Sequence, residues 1–242
     1  VFMGGSQTPN TPKIMDTIDY VEMTTSGVGV RFGSLTTTCS QSSAFASSTR
    51  GINAGGATSA PGDNQTNIIE FVTIASTGNA VKFGDMSSAK AYRNCANSPT
   101  RAIAGGGQTP GSTTVIDMVE IATEGDAVEF GDLSLARAAP GASSNSVRGI
   151  FFGGYSPNTS SMEYFNMASG GTGADFGNLK QNTKYNVGNS ATPTRGICAG
   201  GSPFTTNIQY IDLISLGDAV KFGDLSSAAM YKAAISNAHG GL

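Results

Sequence analysis

Residues 195–225 read RGICAGGSPFTTNIQYIDLISLGDAVKFGDL, and their organisation decides the fold. A double glycine, Gly200-Gly201, closes a short apolar run. IQYIDL, from Ile208, then alternates with a period of two, which marks a strand and not a helix. Gly217-Asp218 follows, where a hairpin turn calls for positive φ. The next stretch is strand-like and carries one aromatic, Phe222, in a Phe-Gly-Asp triplet.

These markers recur in one order along the whole chain. The triplet, or a close variant, has its Phe at Phe32, Phe83, Phe130, Phe176 and Phe222, at spacings of 51, 47, 46 and 46 residues. The double glycine stands at Gly4-Gly5, Gly55-Gly56, Gly106-Gly107, Gly153-Gly154 and Gly200-Gly201. Between them lie IDYVEM from Ile18, IEFVTI from Ile69, IDMVEI from Ile116, MEYFNM from Met162 and IQYIDL. A small-residue stretch such as NCANS (Asn94 to Ser98) or GASSNS (Gly141 to Ser146) precedes each arginine-led second strand, as in RGIFFGG from Arg148. Each unit therefore reads as four short antiparallel strands, and no segment shows a helical stripe ten residues long.

Four strands per unit, five times over, predict an all-β, five-bladed β-propeller. The units resemble kelch repeats in the double glycine, the alternating third strand and the lone aromatic of the fourth. They depart from kelch in using Phe where Trp is usual. The expected blades are about 230–242 plus 1–35, then 36–86, 87–133, 134–179 and 180–229, in one domain. VFMGG at Val1 aligns with INAGG of the second unit, and SNAHGGL from Ser236 aligns with SNSVRGI from Ser144. The C-terminal stretch, from about Met230 to Asn237, is thus expected to supply the inner strand of blade one and close the ring; an open solenoid would need polar caps. The five Phe residues are expected as buried wedges between blades, with Ile18, Val21, Ile69, Val72, Ile116, Val119, Phe165, Ile208 and Ile211 in the core.

Composition narrows the function. The chain has 242 residues, 33 of them Gly, with 13% charged residues, a net charge of −3, no Trp and one His. An acidic balance disfavours a basic nucleic-acid binder, and no apolar run approaches the roughly 18–20 residues of a membrane helix. Zinc and haem sites are hard to build from one histidine and the unspaced Cys39, Cys95 and Cys198, which read as buried thiols. No metal site and no cofactor are expected. Val1 opens a strand-like stretch without a charged n-region, so no signal peptide is read there, and a processed or trimmed product is expected.

No catalytic set is expected either. Asp85, Asp132 and Asp224 follow the Phe-Gly pairs, but Ser34 and Asn178 replace them, which suggests turn caps. Asp19, Glu70, Asp117 and Glu163 repeat on the third strand, with Gln209 in the fifth unit, and are spread around the ring where a glycosidase gathers its acid and base. A sialidase box, a copper-oxidase ligand set and a nucleophile elbow are absent, and His239 reads as a turn residue. Arg50, Arg101, Arg148 and Arg195 each start a second strand and are expected to find a backbone or Asp partner in a neighbouring turn.

The candidate binding residues are aromatic. Tyr92, Tyr185 and Tyr231 each lie nine residues after the Phe of their unit, beside Arg93, Lys184 and Lys232. They fall near the expected mouth of the axial channel, where a flat ring with donors nearby suits a sugar. The loops between second and third strands open on the same face and vary from 12 residues to 6, carrying Tyr155 and Phe204. The RGI-x-x-GG and GDAV-x-FGDL motifs look like the kelch-like repeats of virion structural and tail-associated proteins of marine bacteriophages. That resemblance implies a non-enzymatic module for adhesion or host-surface recognition, on the virion or outside the cell. Its partners would be other virion proteins or a host cell-surface glycan, with homo-oligomers possible inside an assembly. A lectin-like propeller or a glycan-active enzyme are the alternatives.

Overall fold

A computed structural model of the chain describes residues 1–7, 13–22, 24, 27–59, 64–108, 110–185 and 187–230, and for 187–190 the backbone alone. It is all-β, with no helix among the described residues. The first sheet joins β1 (Phe2–Met3), β4 (Thr17–Tyr20) and β5 (Val30–Ser34), while β2 (Ser6–Gln7) and β3 (Lys13–Ile14) form a small separate hairpin. The second sheet is the meander of β6 (Ser43–Ala46), β7 (Arg50–Ala57), β8 (Gln65–Thr73) and β9 (Val81–Asp85). The third is β10 (Asn94–Asn97), β11 (Arg101–Gly105), β12 (Thr113–Glu120) and β13 (Val128–Arg137). The fourth is β14 (Gly141–Ser144), β15 (Arg148–Phe152), β16 (Ser161–Asn166) and β18 (Ala174–Asn178), with β17 (Gly171–Thr172) in the turn before its last strand. The fifth is β19 (Val187–Ala191), β20 (Arg195–Ala199), β21 (Asn207–Asp212) and β22 (Val220–Asp224).

Neighbouring pairs within these meanders are antiparallel, and each third–fourth strand pair slips by one residue at the same repeat position, as between Ile69 and Glu70 or between Ile208 and Gln209. Successive sheets are then joined edge to turn. The turn before each fourth strand donates backbone N–H groups to the fourth strand of the preceding sheet: Gly78 to Phe32 at 2.9 Å, Gly125 to Phe83 at 3.0 Å and Gly217 to Phe176 at 2.8 Å. At the seam between the third and fourth sheets the same contact is long enough to register as a strand, β17 lying parallel to β13 with Gly131 opposite Gly171. The Phe-Gly glycine makes this approach possible. A Cβ on Gly33, Gly84, Gly131 or Gly177 would collide with the carbonyl of Gly78, Gly125, Gly171 or Gly217 respectively. Asn79, Asp126 and Asp218 cap across the seam, accepting from the N–H groups of Ser34, Asp85 and Asn178 at 3.0, 2.9 and 2.9 Å.

Apolar side chains fill the seams. Phe32 packs with Val72 and Ala80, Phe83 with Val119 and Ile121, Phe130 with Phe165 and Met167, and Phe176 with Ile211 and Leu213. Each of these four rings is buried, a burial worth roughly 2–3 kcal/mol apiece. At three of the seams an arginine of the second strand fastens the same turn. Arg50 donates to the carbonyls of Ile121 and Ala122 at 3.0 and 3.2 Å, Arg148 to those of Leu213 and Ile214 at 3.2 and 2.6 Å, and Arg101 to that of Ala168 at 3.4 Å.

The series stops at the fifth sheet. Phe222 is 57% exposed, against the expectation of five buried wedges, and Val21 is 41% exposed, against its expected core place. Both depart for one reason. Phe222 occupies the slot that the next sheet covers elsewhere, and Val21 the slot that the preceding sheet covers, so each sits on an uncovered face. Ile208 is only half-buried. Gly223 meets nothing within 4 Å of a built Cβ, and Arg195 stacks on Tyr210 at 4.6 Å in an exposed position. Among the described residues the ring is therefore not closed. The expected closing strand, beyond Met230, lies outside the described residues. β13 also runs past the expected boundary at Leu133, because Arg137 pairs with Thr113.

All four seams bury a polar side chain from the middle of the third strand. Glu70 accepts from the backbone and hydroxyl of Thr36 at 2.7 and 2.8 Å, Glu163 from the backbone of Ser134 at 2.6 Å, and Gln209 from that of Lys180 at 3.0 Å. Glu163 also meets Arg137, which is fully buried and donates to the carbonyls of Gly153 and Ser161 at 3.1 and 3.2 Å. Asp117 holds Arg93 in the same manner. Arg137→Met should leave Glu163 buried and uncompensated, at a cost of about 3–5 kcal/mol in urea unfolding. The double variant with Glu163→Gln, which copies the neutral Gln209 of the fifth unit, should recover most of that loss. A single variant as stable as wild type would contradict this account.

Candidate functional site

The segments that cross from one sheet to the next build a rim. Each first passes over the double glycine of the sheet it leaves: the carbonyls of Cys39, Lys90, Arg137, Thr183 and Ala229 accept from the second glycine at 2.7, 3.0, 3.0, 2.8 and 2.9 Å. A Cβ on Gly4 or Gly200 would strike the crossing backbone, which accounts for the first glycine of the pair. The next residue bridges to the sheet ahead, Ser40 with Ala57, Ala91 with Gln108, Ala138 with Tyr155 and Lys184 with Ser202.

The chain must then turn sharply into the inner strand, and one left-handed residue makes the turn. Gln41, Tyr92, Ala139 and Tyr185, all nine residues after the Phe of their unit, have φ of 55°, 58°, 44° and 54°. Tyr92 donates its N–H to the carbonyl of Gln41 at 3.1 Å, and Ala139 donates to that of Tyr92 at 2.8 Å. A left-handed conformation costs a non-glycine residue about 1–2 kcal/mol, so these bonds hold the rim in place against local strain.

Three of the aromatic candidates meet here. The ring centroids of Tyr155 and Tyr185 lie 5.1 Å apart, and those of Tyr92 lie 6.2 Å from each of them. All three rings are half-buried. The Tyr155 hydroxyl donates to Gln108 Oε1, and Lys184 Nζ stands 5.7 Å from the Tyr185 centroid. Burial and then the Tyr185 hydroxyl push the Tyr92 hydroxyl above its ordinary range. Burial, with the Arg93 charge behind it, lowers the Lys90 ammonium.

The other candidates fare differently. Arg93 is not available to a ligand: its side chain is 2% exposed and is consumed by Asp117 and by Ser88 Oγ at 3.1 Å, because a buried carboxylate needs a buried cation. Phe204 is 65% exposed, and no ring contact joins it to the tyrosines among the described residues. Tyr231, Lys232 and His239 lie outside the described residues. Gln108 and Arg137 were not legible as site residues, although Gln108 follows its double glycine as Tyr155 does.

Reactive chemistry is sparse. Asp85, Asp132 and Asp224 do not cap turns as expected. They lie at or within the fourth strands and pair with Lys82 at 2.8 Å, with the Thr114 hydroxyl at 2.7 Å and with Lys221 at 2.8 Å, the caps being supplied by the turns across the seam. Glu70, Asp117 and Glu163 are each buried in a separate seam. Among the described residues no group of three His, Cys, Asp or Glu side chains could hold a metal ion. No protein-family model matches the chain, and no curated protein does either.

The cysteines are free, and burial pushes the thiols of Cys95 and Cys198 up to about 12 and raises that of Cys39. A raised acid keeps its proton in the fold while the unfolded chain ionises near 9, so this contribution is complete below pH 9 and lost as pH climbs toward 12. Alkaline titration of unfolding should show stability falling in that window, less so in Cys95→Ala/Cys198→Ala. A thiol reagent at pH 8 should label none of the three before unfolding; prompt native labelling would refute the assignment.

Proposed function

We propose that the chain is a five-bladed, kelch-like β-propeller acting as a non-enzymatic binding module, whose tyrosine rim engages a glycan on a cell surface. In keeping with the repeats it resembles, we place it in a phage virion, in a tail or fibre, for adhesion or host recognition. The observation that carries the binding role is the gathering of Tyr92, Tyr155 and Tyr185 at one rim, two of them on strained left-handed backbone. Glycine would relieve that strain, so large rings held there have a use beyond the turn itself. Packed aromatic faces beside amide and ammonium donors are what a sugar's apolar face and hydroxyls require.

The ring is supported by the four seams built alike, and by the unused couplings of Arg195, Phe222 and Gly223 on one side and of Val21 on the other. Closure gives each of them the partner that its repeats already have. Gly131→Ala should cost about 2–3 kcal/mol through overlap with the turn ahead. In a closed ring Gly223→Ala costs about as much; if it is silent while the chain sediments as a monomer, the ring is open and this fold reading falls.

Glycan-array binding followed by calorimetry tests the function. Tyr185→Ala should weaken the bound glycan about tenfold, with little change in melting, since alanine already holds the same left-handed position at Ala139. No binding at millimolar sugar, together with a tight contact to another virion protein, would turn the reading to that of a scaffold.

A further inference from the structure

Charge is not spread evenly over the sheets. The chain as a whole is acidic, with 17 Asp and Glu against 14 Lys and Arg. In an antiparallel meander the crossing segments and the loops between second and third strands share one end, and the other turns share the opposite end. Described crossing residues 35–42, 86–93, 133–140, 179–185 and 225–230 carry Lys90, Arg93, Arg137, Lys180 and Lys184 and no carboxylate. The turns at the opposite end carry Glu124, Asp126 and Asp218, and the second strands start there with Arg50, Arg101, Arg148 and Arg195. Two of the five cations, Arg93 and Arg137, are spent inside on Asp117 and Glu163. Two of the lysines stand beside the tyrosines: Lys184 lies over Tyr185, and Lys90 lies two residues before Tyr92 and one before Ala91, which bridges to Gln108. Lys90 is half-buried and its ammonium is lowered, so an incoming anion meets a cation that its surroundings solvate poorly.

We infer that the tyrosine rim takes a negatively charged polysaccharide, its sugar faces on Tyr92, Tyr155 and Tyr185 and its carboxylate or sulfate groups on Lys184 and Lys90. The inference rests on the glycan reading above and adds the ligand's charge class. The lysines and tyrosines of this rim offer an acidic sugar chain both opposite charge and flat apolar faces.

The experiment is calorimetry on the full chain with three probes of equal length: an oligogalacturonate, a sulfated galactan oligosaccharide and a neutral galactan oligosaccharide. At low salt one or both acidic probes should bind at least about tenfold tighter than the neutral one, and the gap should narrow at high salt as screening sets in. The better acidic probe identifies carboxylate or sulfate as the group recognised. Lys184→Gln should weaken acidic binding about threefold, and Lys90→Gln similarly, a larger loss than either causes for the neutral probe. Lys221→Gln, on an outer strand, should change nothing. Equal affinity for neutral and acidic probes overturns the inference and leaves the glycan reading standing. A thymidine oligonucleotide bound as tightly as the acidic sugars, or acidic binding indifferent to Tyr185→Ala, also overturns it, since charge alone then suffices. No binding of any probe removes both.

Discussion

The whole arrangement depends on how closely one sheet's outer strand approaches the turn of the next. Backbone N–H groups at Gly78, Gly125 and Gly217 reach carbonyls across the seam only because the residue after each Phe has no side chain. That contact fixes the angle between sheets, and the Phe beside it is then sealed against the third strand of its neighbour. Hydrogen bonding and apolar burial act at one place, so neither can be lost without disturbing the other. Arg50, Arg101 and Arg148, at the start of their second strands, add to this, meeting carbonyls that a strand's end leaves without partners.

The buried carboxylates show how far the seams tolerate polarity. Glu163 draws a fully buried arginine to it, Glu70 is satisfied by one threonine, and Gln209 fills the same slot without charge. A buried ion pair is weak support for stability, because desolvating both partners offsets most of their attraction. At three of the four positions the side chain accepts the backbone N–H of the preceding crossing segment, while Asp117 holds Arg93. The charge is optional, and where it occurs the chain has had to supply a cation.

Much of this was legible in the residues. The period of two in IDMVEI and IQYIDL gives the third strands, and the recurrent glycines and Phe give the sheet boundaries. The absence of helix among the described residues follows from the same patterns. The site was legible in part: Tyr92, Tyr155 and Tyr185 stood out by their positions, and they do meet. Arg93 misled because a basic residue next to a tyrosine reads as exposed, whereas its fate is set by Asp117, 24 residues away in the chain and on another strand. Asp85 was read as a cap and is itself capped by Asp126, for a related reason. Capping happens across seams, and a local motif carries no information about which sheet its acceptor will face. The exposure of Phe222 and Val21 could not be read from repeats that look alike, since it depends on which neighbours each sheet has.

The left-handed position on the rim has a consequence of its own. At Tyr92 its conformation is held by main-chain bonds to both flanking segments, and the position is occupied by glutamine, tyrosine, alanine and tyrosine in four successive units. Scaffold and side chain are therefore decoupled there. Selection can exchange one residue at a time at that corner without renegotiating the architecture beneath it, so the molecule can change what it grips while keeping its shape.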